Sequence, residues 1–355
     1  TVLGQNVDIF VLRKTQKCVR ETDLHWPINT IVMRKKIILF FLFLNFHFVS
    51  AQDETFAEKL GFPKGATVLI LHVDDVGMSW DSNEGAIHAL EKGVANSVSV
   101  MMPCPWVPGF LHYLKDHPRV DAGLHLTLTS EWKDYRWGPL AGKPSTPGLV
   151  DPEGALWPSV ADVVKNASAD EVEKEIRTQL ERARKAGFEP THLDSHMGTL
   201  FATPQFLERY IKVGIENKIP VMFPGGHNTM IFRQLNNSEE SLKQLRETGQ
   251  LLWNSGLPVL DDLHNVSYGF RYPEDSNLSD TELQKFATSR YIETIKELKP
   301  GLTMVIMHCT SPSEIFSHIT NSGRIRKGDL LAMTDPEFKK FLEAEKIILT
   351  TWREV

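Results

Sequence analysis

Cysteine is scarce, with three residues in a chain of 355. Cys18, Cys104 and Cys309 are too few and too far apart for a disulfide framework, which excludes the small stapled folds. Cys104 and Cys309 could make one bridge at most and read as buried thiols. There is no internal repeat and no low-complexity tract. No Gly-rich phosphate loop follows the first strand-like segment, which counts against a doubly wound nucleotide-binding sheet. Positive charge is not in excess, with 39 Lys and Arg against 45 Asp and Glu. Seven of those bases but only three of the acids fall in residues 1–51, which leaves the remainder at a net charge of about −10. An acidic body of that kind is a poor match for nucleic acid or an anionic membrane. No apolar run reaches the ~20 residues that a bilayer-spanning helix needs. The longest, Ile37 to Val49, follows Met33-Arg34-Lys35-Lys36 and precedes Ser50-Ala51-Gln52. A basic start, a short apolar middle and a small-residue cleavage pattern make a secretory signal peptide. Residues 1–51 are therefore expected to be an upstream extension and signal peptide. Residues 52–355 would form one exported domain, periplasmic or secreted, with no stable membrane span after cleavage near Ala51-Gln52.

That domain has an ordinary globular composition, and its short apolar runs alternate with helical patterns. Strands are expected at 68–73, 97–102, 122–126, 191–194, 220–223, 258–262, 303–307 and 347–351. The clearest helix runs over 169–186, with Ser168 and Glu171 as a capping box and Gly187 as its stop. Helices near 203–217, 239–254 and 280–298 have similar patterns. Alternating strands and helices over about 300 residues indicate α/β, a single distorted TIM-like (β/α) barrel, with a doubly wound sheet as the alternative. Residues 132–158, rich in Trp, Gly and Pro, read as a long loop, and long loops in compact domains are usually functional.

Chemistry gathers at the strand ends. The first strand runs Leu69-Ile70-Leu71-His72-Val73-Asp74-Asp75, the third gives Gly123-Leu124-His125-Leu126-Thr127, the fourth His192-Leu193-Asp194-Ser195-His196, and the seventh Met307-His308-Cys309. In a barrel these C-terminal ends form one rim, so distant residues converge. Asp75, His125 and His196 would make a two-His, one-carboxylate site for one divalent metal ion, with positions open for water and substrate. That donor set favours zinc or another transition ion over magnesium. Two adjacent carboxylates can divide labour, one holding a cation and one staying free as a base. Asp194 is a candidate for orienting a ligand imidazole, and Arg271 for holding Asp74 or a substrate group. His72 and His192, inside strands, read as structural. Trp132, Trp137 and Trp157 offer stacking surfaces for sugar rings.

The block His72-Val73-Asp74-Asp75-Val76-Gly77-Met78-Ser79 with Asn83, Gly123-Leu124-His125-Leu126-Thr127 and His192-Leu193-Asp194-Ser195-His196 resembles the YdjC/ChbG-type carbohydrate deacetylases, mechanistic relatives of the NodB-type polysaccharide deacetylases. The resemblance spans roughly residues 66–310 with the motifs in order. It implies a metal-dependent hydrolase that removes N-acetyl groups from amino sugars in oligosaccharides. Asp75, His125 and His196 would bind Zn2+ or Mg2+, Asp74 would be the general base and His308 the general acid. Two departures bear on substrate contacts and on His308. Met197-Gly198-Thr199 stand where relatives often carry a further His, and Cys309-Thr310 where Pro-Gly is common. The rival readings are another metal-dependent hydrolase on the same barrel, acting on a phosphoester or cyclic amide, and a non-catalytic secreted sugar-binding protein. The first would call for a bridging carboxylate. The second has no need of a free base such as Asp74.

Overall fold

The computed structural model describes residues 54–235, 239–265, 267–272 and 278–355. The expected extension and signal peptide lie outside the described residues. Every residue of β1 (Thr67–Val76) after Thr67 is buried. A near-continuous apolar run is what a parallel strand covered on both faces requires. β1 pairs in parallel with β2 (Ser97–Val100) on one edge and β6 (Gly301–Met307) on the other. With β3 (Ala122–Leu126), β4 (Leu193–Ser195) and β5 (Asp262–Asn265) the order is β4-β3-β2-β1-β6-β5, parallel throughout. β7 (Ile348–Leu349) pairs Val68 and Leu69 of β1, below the residues that β2 takes on the same edge.

Among the described residues the sheet curls but does not close with eight full strands. Between β4 and β5 the expected strands at 220–223 and 258–262 shrink to single bridges, Leu193 to Val221 and Pro224 to Leu260. Pro220, Pro224 and Pro258 have no N–H to give to a ladder, and the regular pairing restarts only at Asp262. The result is an α/β fold with a curled parallel sheet, an incomplete version of the expected barrel.

The helix Ala169–Lys185 starts at the Ser168–Glu171 capping box and stops before Gly187, whose φ of 81° is left-handed. Among the described residues no helix is long and apolar enough to cross a membrane.

Side-chain alternation sets the position of the site. Val68 and Ile70 join Met222, Leu260, Leu302, Met304 and Ile306 in an inner cluster, whereas Leu69, Leu71 and Val73 face the larger core under the helices. With a period of two, the next inward positions on β1 are His72 and Asp74. Ser97 and Ser99 on β2, His125 on β3 and Asp194 on β4 alternate in the same way with core residues. His308 follows Ile306 in phase. The inner wall is therefore apolar at the N-terminal ends of the strands and polar at their C-terminal ends.

Candidate metal centre

Strict alternation would send Asp75 away from Asp74. The β1–β2 register slips between Val73 and Val76, and Asp75 adopts a φ of 62°. A left-handed, non-glycine residue costs about 1–3 kcal/mol, and here it turns both carboxylates to one mouth. Asn83 fixes the turn that follows. The Gly77 N–H donates to Asn83 Oδ1 at 2.8 Å, and Asn83 Nδ2 donates to the Trp106 carbonyl at 3.0 Å. Asn83 thus braces the backbone of this loop.

Asp75, His125 and His196 meet as the sequence implied. Asp75 Oδ1 lies 3.4 Å from His125 Nε2 and 3.2 Å from His196 Nδ1, and the two nitrogens are 3.3 Å apart. Donors each ~2.1 Å from one ion stand roughly 3.0 Å apart at right angles and roughly 3.4 Å apart at tetrahedral angles. The triangle fits one divalent cation, and Asp75 Oδ1 is a buried oxygen without a hydrogen-bond partner. Each of the three is held from behind. His125 Nδ1 meets Asp194 Oδ1 at 2.6 Å, His196 Nε2 meets Glu131 Oε1 at 3.1 Å, and Arg326 Nη2 binds Asp75 Oδ2 at 2.7 Å. Such outer partners fix ring orientation and leave the inner nitrogen free to ligate.

His72 is a member of the site and not a spectator of the strand. Its Nδ1 meets Ser97 Oγ at 2.8 Å, while Nε2 lies 3.1 Å from Asp74 Oδ1, from Asp194 Oδ2 and from Ser99 Oγ. His192 packs behind it, buried and stacked on Trp352, and Gly123 makes the room, since a Cβ there would meet the His192 ring. Burial pushes His72 down, but its hydrogen bonds to the Asp194 and Asp74 carboxylates, and their charges, outweigh it and raise its pKa to about 9. His196 also reaches about 9, burial being outweighed by Glu131 and Asp75. Burial would raise the pKa of Asp75, yet Arg326 and the two imidazoles hold it well below the usual carboxylate range. Carboxylates that draw protons onto these rings are equally suited to hold a cation in their place.

Asp74 is the more accessible of the pair, 8% exposed against 1% for Asp75. Its Oδ2 stands 3.9 Å from His125 Nε2 and 4.0 Å from His308 Nε2. His308 is anchored by its backbone N–H, which donates to Asp329 Oδ2 at 2.9 Å. Burial lowers the pKa of its imidazole to about 4.

Several expected residues lie elsewhere. Arg271 is exposed and lines a cavity of about 410 Å³ with Met230, His264 and Arg290, and the guanidinium at the centre is that of Arg326. Trp137 is a buried anchor, 5% exposed, whose Nε1 donates to the Thr129 carbonyl. Trp132 packs edge-on against it, and Trp157 Nε1 donates to the Gly148 carbonyl. The site is served by Glu131, just before their long loop, and the loop reaches the Asp75 side through Tyr135, whose hydroxyl donates to the Met78 carbonyl. Cys104 and Cys309 are free, buried thiols. Alternation along β1 could have placed His72 beside Asp74. Nothing in the local sequence marks Glu131 or Arg326.

Residues 68–344 match the family described as YdjC-like protein. The chain is 32% identical over 304 residues to a carbohydrate deacetylase of Thermus thermophilus, spanning 84% of this chain and 97% of that protein. A carbohydrate deacetylase of Brevibacillus brevis is 28% identical over 293 residues, 81% of this chain and 99% of that one. A chitooligosaccharide deacetylase of Yersinia enterocolitica is 30% identical over 134 residues, 36% of this chain and 49% of that protein. Among solved structures, a putative cellobiose-phosphate cleavage protein from Enterococcus faecalis superposes with a TM-score of 0.64 at 19% identity, over 81% of this chain and 98% of that one. With motifs in order over most of the described residues, this chain belongs to the YdjC-like protein family.

Proposed function

We propose that this chain is a metal-dependent carbohydrate N-deacetylase that removes acetyl groups from amino sugars in oligosaccharides. Asp75, His125 and His196 hold one divalent ion, zinc or another transition ion by their two imidazoles, with magnesium the alternative. When bound, such an ion polarises the amide carbonyl and lowers the pKa of its water, to ~7 for zinc. The observation that carries the reading is the unequal fate of two adjacent carboxylates. Asp75 is committed to two imidazoles and Arg326, whereas Asp74 keeps Oδ2 free at the mouth.

His72 and Ser99 fix Asp74 Oδ1, which leaves Oδ2 to take a proton from the attacking water. An amine cannot leave as an anion, so a proton must reach the nitrogen. Burial keeps His308 neutral near pH 7, and its Nε2 lies 4.0 Å from Asp74 Oδ2. The proton taken up by Asp74 therefore passes through His308 to the departing amine. Arg326 occupies Asp75 Oδ2 at 2.7 Å, so this carboxylate is not available to bridge a second ion, which disfavours the two-metal phosphoesterase alternative.

The relatives' names and the neutral-to-acidic character of the chain favour an N-acetylhexosamine oligosaccharide. Acetate release from a panel of N-acetylated mono- and oligosaccharides, with metal-loaded and chelated protein, is the test. Hydrolysis of phosphoesters or cyclic amides with no acetate from any sugar sinks it. Export remains part of the proposal, supported by the pattern at 33–51. Finding residues 34–51 intact on protein recovered from the producing cells would overturn it.

A further inference from the structure

Among the described residues the exposed aromatic side chains are Trp80, 51% exposed, Trp106, 43%, and Tyr268, 45%. Tyr268 touches His308, and Trp80 and Trp106 flank the loop that follows Asp75. Trp80 opens the helix Trp80–Lys92 directly after the Asp75 loop. The Trp106 N–H donates to the Gly77 carbonyl at 3.1 Å, so this second indole is tied to the same loop. The two rings lie 5.7 Å apart and tilt by 58°, presenting a V of indole faces to solvent. Tyr268 stands edge-on against His308 with ring centroids 4.8 Å apart. The loop after His308 is strapped to the start of the Trp80 helix, Ser311 N donating to the Asp81 carbonyl at 3.0 Å and Ser313 N to Asp81 Oδ1 at 2.5 Å. Tyr268, His308 and the indole pair therefore belong to one continuous rim.

Large aromatic faces left in water at a functional mouth await an apolar partner. The partner must be apolar on one face and hydrated elsewhere, because the rim is open to solvent and the floor is charged. A pyranose ring has that chemistry: C–H groups on a face that stacks on an indole, and hydroxyls around its edge. We propose that Trp80 and Trp106 form a subsite for a second pyranose, next to the acetylated sugar that reacts beside Tyr268 and His308. The enzyme then selects oligosaccharides over free N-acetylated monosaccharides through this pair and not through the buried tryptophans of the 132–158 loop. This rests on the deacetylase reading.

The test uses the full metal-loaded chain with N-acetylglucosamine and triacetylchitotriose as probes. Trp80→Ala and Trp106→Ala are each expected to lower the trisaccharide-to-monosaccharide ratio of kcat/KM about tenfold, chiefly through KM for the trisaccharide. Trp80→Phe keeps a stacking face and should retain most of the ratio. Leu251→Ala, an exposed apolar residue on another helix, should leave the ratio unchanged. An equal fall for both sugars, or no change for either, overturns the subsite. Binding is read separately by tryptophan fluorescence in Asp74→Asn. A shift produced by the trisaccharide, and lost in the Trp80→Ala/Trp106→Ala background, supports the subsite even if no sugar releases acetate. No acetate from any sugar would instead count against the deacetylase reading, and no fluorescence shift would count against the subsite.

Discussion

Replacing Asp194 with Asn separates the orientation of a ligand imidazole from its mere presence. On the proposed assignment His125 must show a lone pair at Nε2, which requires the proton to sit on Nδ1, and Asp194 Oδ1 receives that proton at 2.6 Å. Asparagine has nearly the same shape but no charge. Its amide can accept from His125 or face His72, whose Nε2 lies 3.1 Å from Asp194 Oδ2, but it cannot accept from both. Loss of such a partner behind a ligand histidine costs ~10–100-fold in metal affinity. That is roughly 1.4–2.7 kcal/mol. Competition against a chelating dye, with bound metal checked by elemental analysis, reads it directly. The metal-free protein gives an independent check. Burial would raise the pKa of Asp194, but His125 and the other imidazoles hold it well below the usual range. A depressed carboxylate contributes stability above its unfolded pKa and loses it as pH falls through the folded one. The unfolding midpoint of Asp194→Asn should therefore vary less with acid than that of the parent. Metal affinity within twofold of the parent, in a folded variant, would refute the orienting role.

Other expected outcomes follow from the same geometry. Asp74→Asn should keep its metal but lose turnover by ~10²–10⁴-fold, measured as acetate release at saturating metal. Activity within a few fold of the parent would remove Asp74 as the base. Arg326→Leu leaves Asp75 buried without the guanidinium now 2.7 Å away, and breaking a buried pair costs about 3–5 kcal/mol, readable in a denaturant titration. Without the metal, His196 is raised from 6.5 to about 9, so protons compete for the site below that pH. Loading should release protons, and apparent affinity should rise with pH up to about 9, measured by titration in weakly buffered solution. A pH-independent affinity would contradict the ligand role of His196.

The sequence by itself determined the apolar strand β1, the capped helix at 169–185, and the strand ends on which Asp74, Asp75, His125, Asp194, His196 and His308 sit. These features are legible because alternation, capping and the placement of polar groups after apolar runs are local properties of the chain. Alternation also carried more than was read from it, since His72 lies in phase with Asp74. Tertiary structure alone decided the rest. No residue type announces that Asp75 will take a φ of 62° and turn inward, because that conformation is imposed by the slipped pairing of β1 with β2. Prolines at 220, 224 and 258 reduced two expected strands to single bridges, which depends on which ladder donors each neighbour needs. Arg326 reaches Asp75 from a helix some 250 residues further along, and Glu131 reaches His196 from an irregular loop, with no spacing rule to connect either pair. The exposure of the tryptophans was likewise decided by tertiary structure. Trp137 fills the core while Trp80 and Trp106 face water, because burial follows from what packs above a residue and not from its type.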